Sequence, residues 1–303
     1  MKYDVTLVRY GELSLKSTYV RRYFESILVR NIKKALQTEN IAHTMTIQRG
    51  RIYLSTDEIE KIKTILPRIF GIVSFSPAVQ TTSTLKEISA VAQQLMKNVL
   101  TKEKSFAIRV TRIGTHPFSS QDVAIRTGND IVTMTRAKVD LNAPDIELFI
   151  EIRDEKSFLF TKKIRGPGGL PIGTQGTIAA LIENPVSLLA AWYLMRRGCN
   201  LVMVNTDISN EHAILSFLRY WYADAETINI DPAQEGFFKR LSDIGSEKRC
   251  NALVTGHSLD EPGNSFSRLQ QIKKNSVIPI LSPLIALTKD EIQLRCRNKG
   301  ILI

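Results

Sequence analysis

Cysteine and histidine are the side chains of this sequence best suited to nucleophilic or metal chemistry, and both are scarce. Cys199, Cys250 and Cys296 lie far apart without a CxxC pair, which argues against a disulfide framework and a zinc knuckle. The four histidines also lack a ligand spacing such as HxxxH. Cys296 stands between Arg295 and Arg297, whose charges would lower the pKa of an exposed thiol. We therefore expect no metal site and assign no catalytic residue.

Arginine and lysine form the pattern that does predict a chemistry, the binding of phosphate groups. A guanidinium can donate two hydrogen bonds to one phosphate, so arginines on an open surface favour polyanions. Arg109 and Arg112 lie in an alternating segment that we interpret as a strand with both arginines on one face. The candidate phosphate-contacting residues of the front half are Arg9, Lys16, Arg21, Arg109, Arg112, Lys162, Lys163 and Arg165.

Charge is distributed unevenly along the 303 residues, whose formal net charge is +11. Residues 1–170 hold 27 lysines and arginines against 17 acidic residues, whereas residues 171–303 hold 14 against 13. A basic front half followed by a nearly neutral back half predicts a polyanion-binding module joined to a second module of different function.

Composition excludes several classes of protein. With 43% hydrophobic and 23% charged residues, the chain is too apolar for a disordered protein. No apolar run approaches the about 20 residues of a membrane span. The first four residues, MKYD, do not begin a signal peptide. We therefore expect a cytoplasmic protein without membrane association.

Hydrophobic periodicity indicates an α/β protein of three modules. Residues 1–70 show a β-α-β-β-α-β order, which is typical of a ferredoxin-like domain. Residues 71–166 read as a second, basic α+β domain. Residues 171–303 alternate strands with helices, which predicts a doubly wound, mainly parallel, Rossmann-like sheet. Ligands bind such sheets at the carboxyl ends of the strands, so any chemistry should lie in the loops that follow them.

Short motifs, in a fixed order, give the chain a family resemblance. Residues 8–17 (VRYGELSLKS), residues 108–110 with 118–120 (IRV and FSS) and residues 168–175 (GGLPIGTQ) together resemble the tRNA 4-thiouridine sulfurtransferases. The resemblance implies that the ferredoxin-like domain and a THUMP domain at 71–166 bind tRNA. It implies that the third domain resembles an ATP-pyrophosphatase that adenylates a uridine, after which a cysteine delivers persulfide sulfur. A homodimer and a sulfur-carrier protein are the protein partners that it allows.

The phosphate-binding loop of that family is altered in this sequence. The family has Ser-Gly-Gly-x-Asp-Ser after the first strand of its third domain, where residues 183–187 read ENPVS. Backbone N–H groups can cradle a phosphate where small residues let them converge, and Pro185 has no N–H. Asn184 and Pro185 instead predict the start of a helix, as N-cap and first helical residue. The family's sulfur-carrying cysteine lies beyond the segment that resembles residues 281–300, so no cysteine here matches it.

Three functions remain open from the sequence. The first is a tRNA-binding protein that acts in tRNA modification without an intact ATP-pyrophosphatase site. The second is an active, ATP-dependent thiolation enzyme with a divergent loop and sulfur from a partner protein. The third is a scaffold whose basic face meets another acidic partner. No cofactor is certain, and ATP belongs to the second function alone, with the nucleotide lined by Leu181, Ile182, Asn205 and Gly256.

Overall fold

The computed structural model describes residues 3–11, 17–48, 50–97, 99–260 and 265–301. The chain divides into two compact units. The first unit comprises residues 1–9, 40–64 and 74–165, and the second unit comprises residues 10–39, 65–73 and 166–303.

The helices and strands follow the predicted order in both halves of the chain. Up to residue 165 they are β1 Val5–Tyr10, α1 Thr18–Thr38, β2 Thr44–Gln48, β3 Arg51–Ser55, α2 Ile59–Ile65, β4 Ile72–Thr82, α3 Leu85–Lys97, β5 Ser105–Ile113, α4 Ser120–Thr135, β6 Lys138–Val139, β7 Ile146–Arg153, β8 Lys156–Phe160 and β9 Ile164–Arg165. After residue 165 they are β10 Thr177–Ile182, α5 Ser187–Arg196, β11 Asn200–Asn205, α6 Glu211–Tyr220, β12 Ala225–Asn229, α7 Phe237–Glu247, β13 Ala252–Val254, α8 Ser265–Asn275, β14 Ile280–Leu281 and α9 Lys289–Arg297. Both the β-α-β-β-α-β order at the amino terminus and the later alternation are therefore confirmed.

One sheet runs through the described strands β1–β9. Its order is β2-β3-β1-β4-β8-β7-β5-β6, with β9 paired to β4. Strand β4 is 11 residues long and pairs with strands of both predicted front domains. Helices α3 and α4 cover one face of the second half of this sheet, where Ile88 and Val123 pack on Phe106 and Leu148. A capping box between Ser119 and Asp122 starts α4.

Strand β5 places Arg109 and Arg112 on opposite faces, so the prediction that they share a face is wrong. In the parallel register with β7, Arg109 pairs with Phe149 and Arg112 pairs with Ile152. Phe149 packs with the aromatic cluster of the face that α3 and α4 leave open, whereas Ile152 lies in the core beneath these helices. Side chains alternate along a strand, so residues three positions apart point to opposite sides.

The second unit contains a five-stranded parallel sheet in the order β12-β11-β10-β13-β14. The strand order reverses between β10 and β13, as in a Rossmann-like sheet. Alternate residues of β10 enter different cores: Ala180 packs with Trp192 of α5, and Ala179 packs with Phe237 of α7. Helices therefore cover both faces, and the predicted doubly wound sheet is confirmed.

Helix α1 and residues 65–73 pack within the second unit. Phe70 stacks on Trp221 at 4.9 Å between ring centroids, and Asn31 donates a hydrogen bond to the Ile172 carbonyl at 3.1 Å. A glycine is required nearby, because Gly169 has a φ of +72° and a Cβ there would lie 2.1 Å from the Arg196 carbonyl oxygen. The glycine-rich segment after residue 165 is thus held closely against the end of α5.

Candidate functional site

One buried carboxylate gathers three arginines in the first unit. Glu151 of β7 accepts hydrogen bonds from Arg9 of β1, at 3.3 Å, and from Arg51 of β3, at 2.9 Å. Arg153, two residues further along β7, donates its Nε to the same carboxylate at 2.8 Å. The Glu151 side chain is 7% exposed. These four residues, the Glu151 cluster, connect strands that are far apart in the sheet order.

Burial and charge act against each other in the Glu151 cluster. Burial alone would raise the pKa of Glu151, but Arg51, Arg9 and Arg153 together hold it below its ordinary value. Burial lowers the pKa of Arg9, which the Glu151 charge partly offsets. Three cations surround one anion here, so the cluster contributes positive potential to the sheet face around it.

The predicted residue Arg9 is held inside this cluster. Its guanidinium donates to the Ser76 hydroxyl at 2.9 Å and lies 4.8 Å from the centroid of the Phe160 ring. Only 13% of the side chain is exposed. Arg9 therefore organises strands β1, β4 and β7 from within the sheet face.

Lys163 and Arg109 form the exposed margin of the same face. The Lys163 ammonium lies 3.8 Å from the centroid of the Phe149 ring, which is a cation–π contact. Burial and the nearby Arg9 charge lower the pKa of Lys163. Arg109, the register partner of Phe149, donates to Glu147 at 2.8 Å and to the Leu141 carbonyl at 2.8 Å. Phe160 stacks on the Phe149 ring at 5.3 Å between centroids, so the ring supports Lys163 and does not offer a free face to a base. The cations of this margin are the groups suited to phosphate contact.

The other predicted basic residues lie in different places. Lys162 and Arg165 are exposed and flank Lys163 in sequence. Arg112 reaches the Gly114 carbonyl at the far end of β5. Arg21 is on α1 of the second unit, 3.9 Å from Glu25, and Lys16 lies outside the described residues.

The predicted nucleotide-lining residues all lie at the carboxyl edge of the parallel sheet. Leu181 and Ile182 are buried in opposite cores on either side of β10. Asn205 is buried too, and its carboxamide bonds with Asn229 at 2.9 Å and Asn210 at 3.2 Å. At Gly256 a Cβ would lie 2.6 Å from the Ser187 Cα. The backbone after β13 therefore approaches the start of α5 very closely.

The segment between β10 and α5 forms its own turn. The Ser187 N–H donates to the Asn184 carboxamide oxygen at 3.3 Å, within a turn that precedes the α-helix. The predicted N-cap at Asn184, with Pro185 as first helical residue, is wrong by two positions, because Val186 occupies the N-cap and makes no side-chain cap. Regular α-helix begins at Ser187, because the first turn has i to i+3 hydrogen bonds. Glu183 precedes this turn and forms an ion pair with Arg268 at 3.0 Å, and the Nε2 atom of His257 lies 3.3 Å from its other carboxylate oxygen.

The cysteines are buried and poorly reactive. Burial raises the pKa of Cys199 and of Cys250, and it raises the pKa of Cys296 to about 11. The expectation that Arg295 and Arg297 would lower the Cys296 pKa is wrong, because the thiol faces the core and is fully enclosed. A low-pKa nucleophile is not found among these thiols.

Sequence reasoning missed a basic group in the second unit. Lys299 places its ammonium 4.4 Å from the centroid of the Trp192 ring, and Arg196 places its guanidinium 5.8 Å from it. Arg295 donates to the Tyr193 hydroxyl at 2.5 Å. Burial, with the charges of Arg196 and Arg295, lowers the pKa of Lys299. The near-neutral net charge of residues 171–303 concealed this local group of cations. A count of the lysines and arginines along α5 and α9 would have found it.

Metal-binding clusters and membrane-spanning helices are both absent from the described residues. No group of three or more histidine, cysteine, aspartate or glutamate side chains in this part of the chain is arranged to hold a metal ion. Within the same residues, no helix has the length and apolar character that a bilayer span requires.

Family models match three parts of the chain. A ThiI ferredoxin-like domain matches residues 5–76, a THUMP domain matches residues 82–162, and the model described as thiamine biosynthesis protein (ThiI) matches residues 233–300.

Two solved structures resemble the chain along almost its whole length. PH1313 from Pyrococcus horikoshii Ot3 is 30% identical with a TM-score of 0.82, and the match covers 98% of this chain and 99% of that one. A 4-thiouridine synthetase, solved as an RNA complex with bound ATP, is 22% identical with a TM-score of 0.82, covering 99% of this chain and 86% of that one. The second likeness supports the fold alone.

Curated relatives give higher identity together with wide coverage. A probable tRNA sulfurtransferase of Methanobrevibacter smithii is 31% identical over 329 positions, covering 96% of this chain and 85% of the relative. Because 329 positions exceed 303 residues, that relative has internal residues with no counterpart here. The tRNA sulfurtransferase of Pyrobaculum aerophilum is 34% identical, covering 98% of this chain and 67% of the relative. From these matches, the chain belongs to the tRNA sulfurtransferase family.

Proposed function

We propose that this protein binds tRNA and acts in tRNA modification without an intact ATP-pyrophosphatase site. The observation that carries the proposal is a group of four cations, the basic margin. It consists of Lys163, whose ammonium lies over Phe149, of Arg109, the register partner of Phe149, and of Lys162 and Arg165, which are exposed on either side of Lys163 in sequence, at the end of the THUMP-matched residues. Phosphate contacts by such residues provide affinity for nucleic acid. The tRNA sulfurtransferases among the curated relatives support the same substrate class.

Individual roles follow from exposure. We assign direct phosphate contact to Lys162, Lys163, Arg165 and Arg109, and peripheral contact to Arg112 and Arg21. Lys16 lies outside the described residues and keeps its sequence-based assignment to phosphate contact. Arg9 acts as a positioning residue, because only 13% of its side chain is exposed, whereas Arg109, although also hydrogen-bonded, is 39% exposed. The Glu151 cluster then acts on the RNA through its surplus positive charge rather than by contact.

ATP does not fit the residues at the carboxyl end of β10. A triphosphate needs converging donors, whereas Glu183 supplies a carboxylate and Pro185 supplies no N–H. The N–H groups of Ser187, Leu188 and Leu189 are bonded to carbonyls of residues 184–186. The alternative of an active thiolation enzyme would require ATP to bind near Leu181, Ile182, Asn205 and Gly256. Calorimetric detection of ATP binding at millimolar ligand would favour that alternative.

Binding to tRNA is expected to be steeply salt-dependent. Each neutralised phosphate contributes about 0.7–0.9 to the slope of log affinity against log salt, so four contacts predict a slope of about −3. Filter binding of tRNA at salt concentrations between 50 and 200 mM measures this slope. With a slope of that size, the fourfold rise in salt weakens tRNA affinity by about 60-fold. Absent binding at low salt, or a flat salt dependence, would contradict the proposal.

The remaining domain and partner assignments are also proposals. A ferredoxin-like domain at 1–70, a THUMP domain at 71–166 and a third domain at 171–303 are supported by the family matches, and limited proteolysis at residues 166–170 would test the last boundary. A homodimer and a sulfur-carrier protein are proposed from the family membership. A cytoplasmic location follows from the proposed substrate.

A further inference from the structure

Three elements of the second unit converge at the point where the strand order reverses. Glu183 follows β10, His257 lies three residues beyond β13, and Arg268 is on α8. This reversal is the place where parallel sheets of this kind hold anionic ligands. The three side chains meet there.

The carboxylate of Glu183 is bound at both oxygens. Arg268 donates to Oε1 from Nε, at 3.3 Å, and from Nη2, at 3.0 Å. The Nε2 atom of His257 lies 3.3 Å from Oε2. Arg268 is held in turn between Phe237 and Phe238, whose ring centroids lie 5.1 Å and 4.9 Å from its guanidinium carbon. A positioned guanidinium of this kind recognises carboxylates and phosphates with the same geometry.

His257 is enclosed but incompletely bonded. Its side chain is 9% exposed, and Nδ1 is buried with no hydrogen-bond partner among the residues that the structure describes. A buried polar atom without a partner is uncommon in proteins and requires an explanation. Together with the fixed Arg268, it indicates a recognition site rather than a surface ion pair.

We propose that Arg268 and His257 form an anion site that Glu183 fills with its own carboxylate. Glu183 takes the hydrogen bonds that a phosphate group would otherwise accept and repels any phosphate that approaches. The site therefore recognises phosphate chemistry but is closed by a residue of the same chain. Removing that carboxylate should open it to inorganic pyrophosphate.

The test is pyrophosphate binding by the full-length Glu183→Ala variant. Ligand-dependent thermal stabilisation, at ionic strength matched with sodium chloride, reports binding because a ligand specific to the folded state raises the unfolding temperature. We expect the variant to bind pyrophosphate at least tenfold more tightly than the native protein. Adding Arg268→Ala should abolish the gain. The Glu183→Gln variant, which keeps the side-chain volume, should also gain affinity because it lacks the charge.

A matched control tests whether any arginine that loses its carboxylate partner gains affinity for pyrophosphate. Arg240 and Glu247 of α7 form an exposed ion pair at 2.7 Å in the same unit, so Glu247→Ala frees one guanidinium without a cradle. This control should gain nothing. Equal gains in both alanine variants would overturn the proposal, as would folded Glu183→Ala and Glu183→Gln proteins without a gain, or tight pyrophosphate binding by the native chain.

This inference deepens the proposed function, on whose closed nucleotide site it rests, but the two can fail separately. Glu183→Ala should leave tRNA affinity within about twofold of the native value, because the basic margin belongs to the first unit. If the Glu183→Ala variant gains no affinity for pyrophosphate while the native protein binds tRNA, only the anion site is rejected. Absence of tRNA binding in the native protein rejects the proposed function alone.

Discussion

Replacing Glu151 by glutamine is expected to destabilise the protein by about 3–5 kcal/mol, the usual cost of removing one partner from a buried ion pair. Three arginines would then share a site without an anion, and two of them are nearly as buried as Glu151 itself. Urea unfolding followed by far-UV circular dichroism measures the loss. Both tryptophans, Trp192 and Trp221, lie in the second unit, so their fluorescence does not report on this change directly.

The effect should depend on pH in a defined direction. The folded-state pKa of Glu151 lies below its ordinary value of 4.5, so the ionised form stabilises the fold. That contribution is fully present above the ordinary pKa and is lost as pH falls through the folded value. The stability difference between native protein and variant should therefore be largest near neutrality and should shrink in acid.

The matched control is Glu147→Gln, the same substitution four residues earlier on β7. Glu147 pairs with Arg109, and its side chain is 38% exposed. A pair so accessible to water contributes about 0–1 kcal/mol. If the two variants lose equal stability, the Glu151 cluster does not hold the sheet together as described.

Replacing Lys162, Lys163 and Arg165 together by alanine is expected to weaken tRNA binding by about 100-fold or more at low salt. Three lost phosphate contacts, at about 1 kcal/mol or more each, give a change of this size. The slope of log affinity against log salt should become shallower by about 2. The same filter-binding series used for the native protein provides both numbers.

A triple variant elsewhere on the first unit separates contact from net charge. Lys86 and Lys97 lie on α3, which covers the other face of the sheet, and Lys102 follows in the next loop. Their joint replacement by alanine removes the same charge as the first triple variant. It should change tRNA affinity by less than about fivefold, because only the long-range electrostatic attraction at low salt is lost. Similar losses in both triple variants would show that the basic margin is not a contact surface.

Local patterns explain what the sequence predicted correctly. The 3.6-residue spacing of Phe24, Ile27, Leu28 and Ile32 is sufficient to indicate α1, and Ser119 with Asp122 marks the start of α4. Alternating strands and helices after residue 171 likewise indicate a mainly parallel sheet with right-handed crossovers. The N-cap predicted at Asn184 lies two residues too early, because a turn of i to i+3 hydrogen bonds precedes the α-helix that begins at Ser187.

Side-chain partners that are distant along the chain could not be predicted in this way. Arg9 and Glu151 are 142 residues apart, and Glu183 and Arg268 are 85 apart. The net charge of the front half counted Arg9 as a surface cation, although its side chain is buried and paired with Glu151. The count for the back half included Arg268 but could not distinguish it from other cations, because its role comes from lying beside Glu183 at the strand edge.

The buried cysteines have a practical consequence. Cys199 and Cys296 belong to the core on one face of the parallel sheet, and Cys250 belongs to the core on the other. Each buried sulfur meets a labelling reagent only after the residues around it have opened. Opening also exposes the thiol to water, where the reactive thiolate forms more readily. The native chain therefore carries position-specific reporters of local unfolding on both sides of that sheet. Labelling rates, resolved by mass spectrometry, would tell which helical layer detaches first.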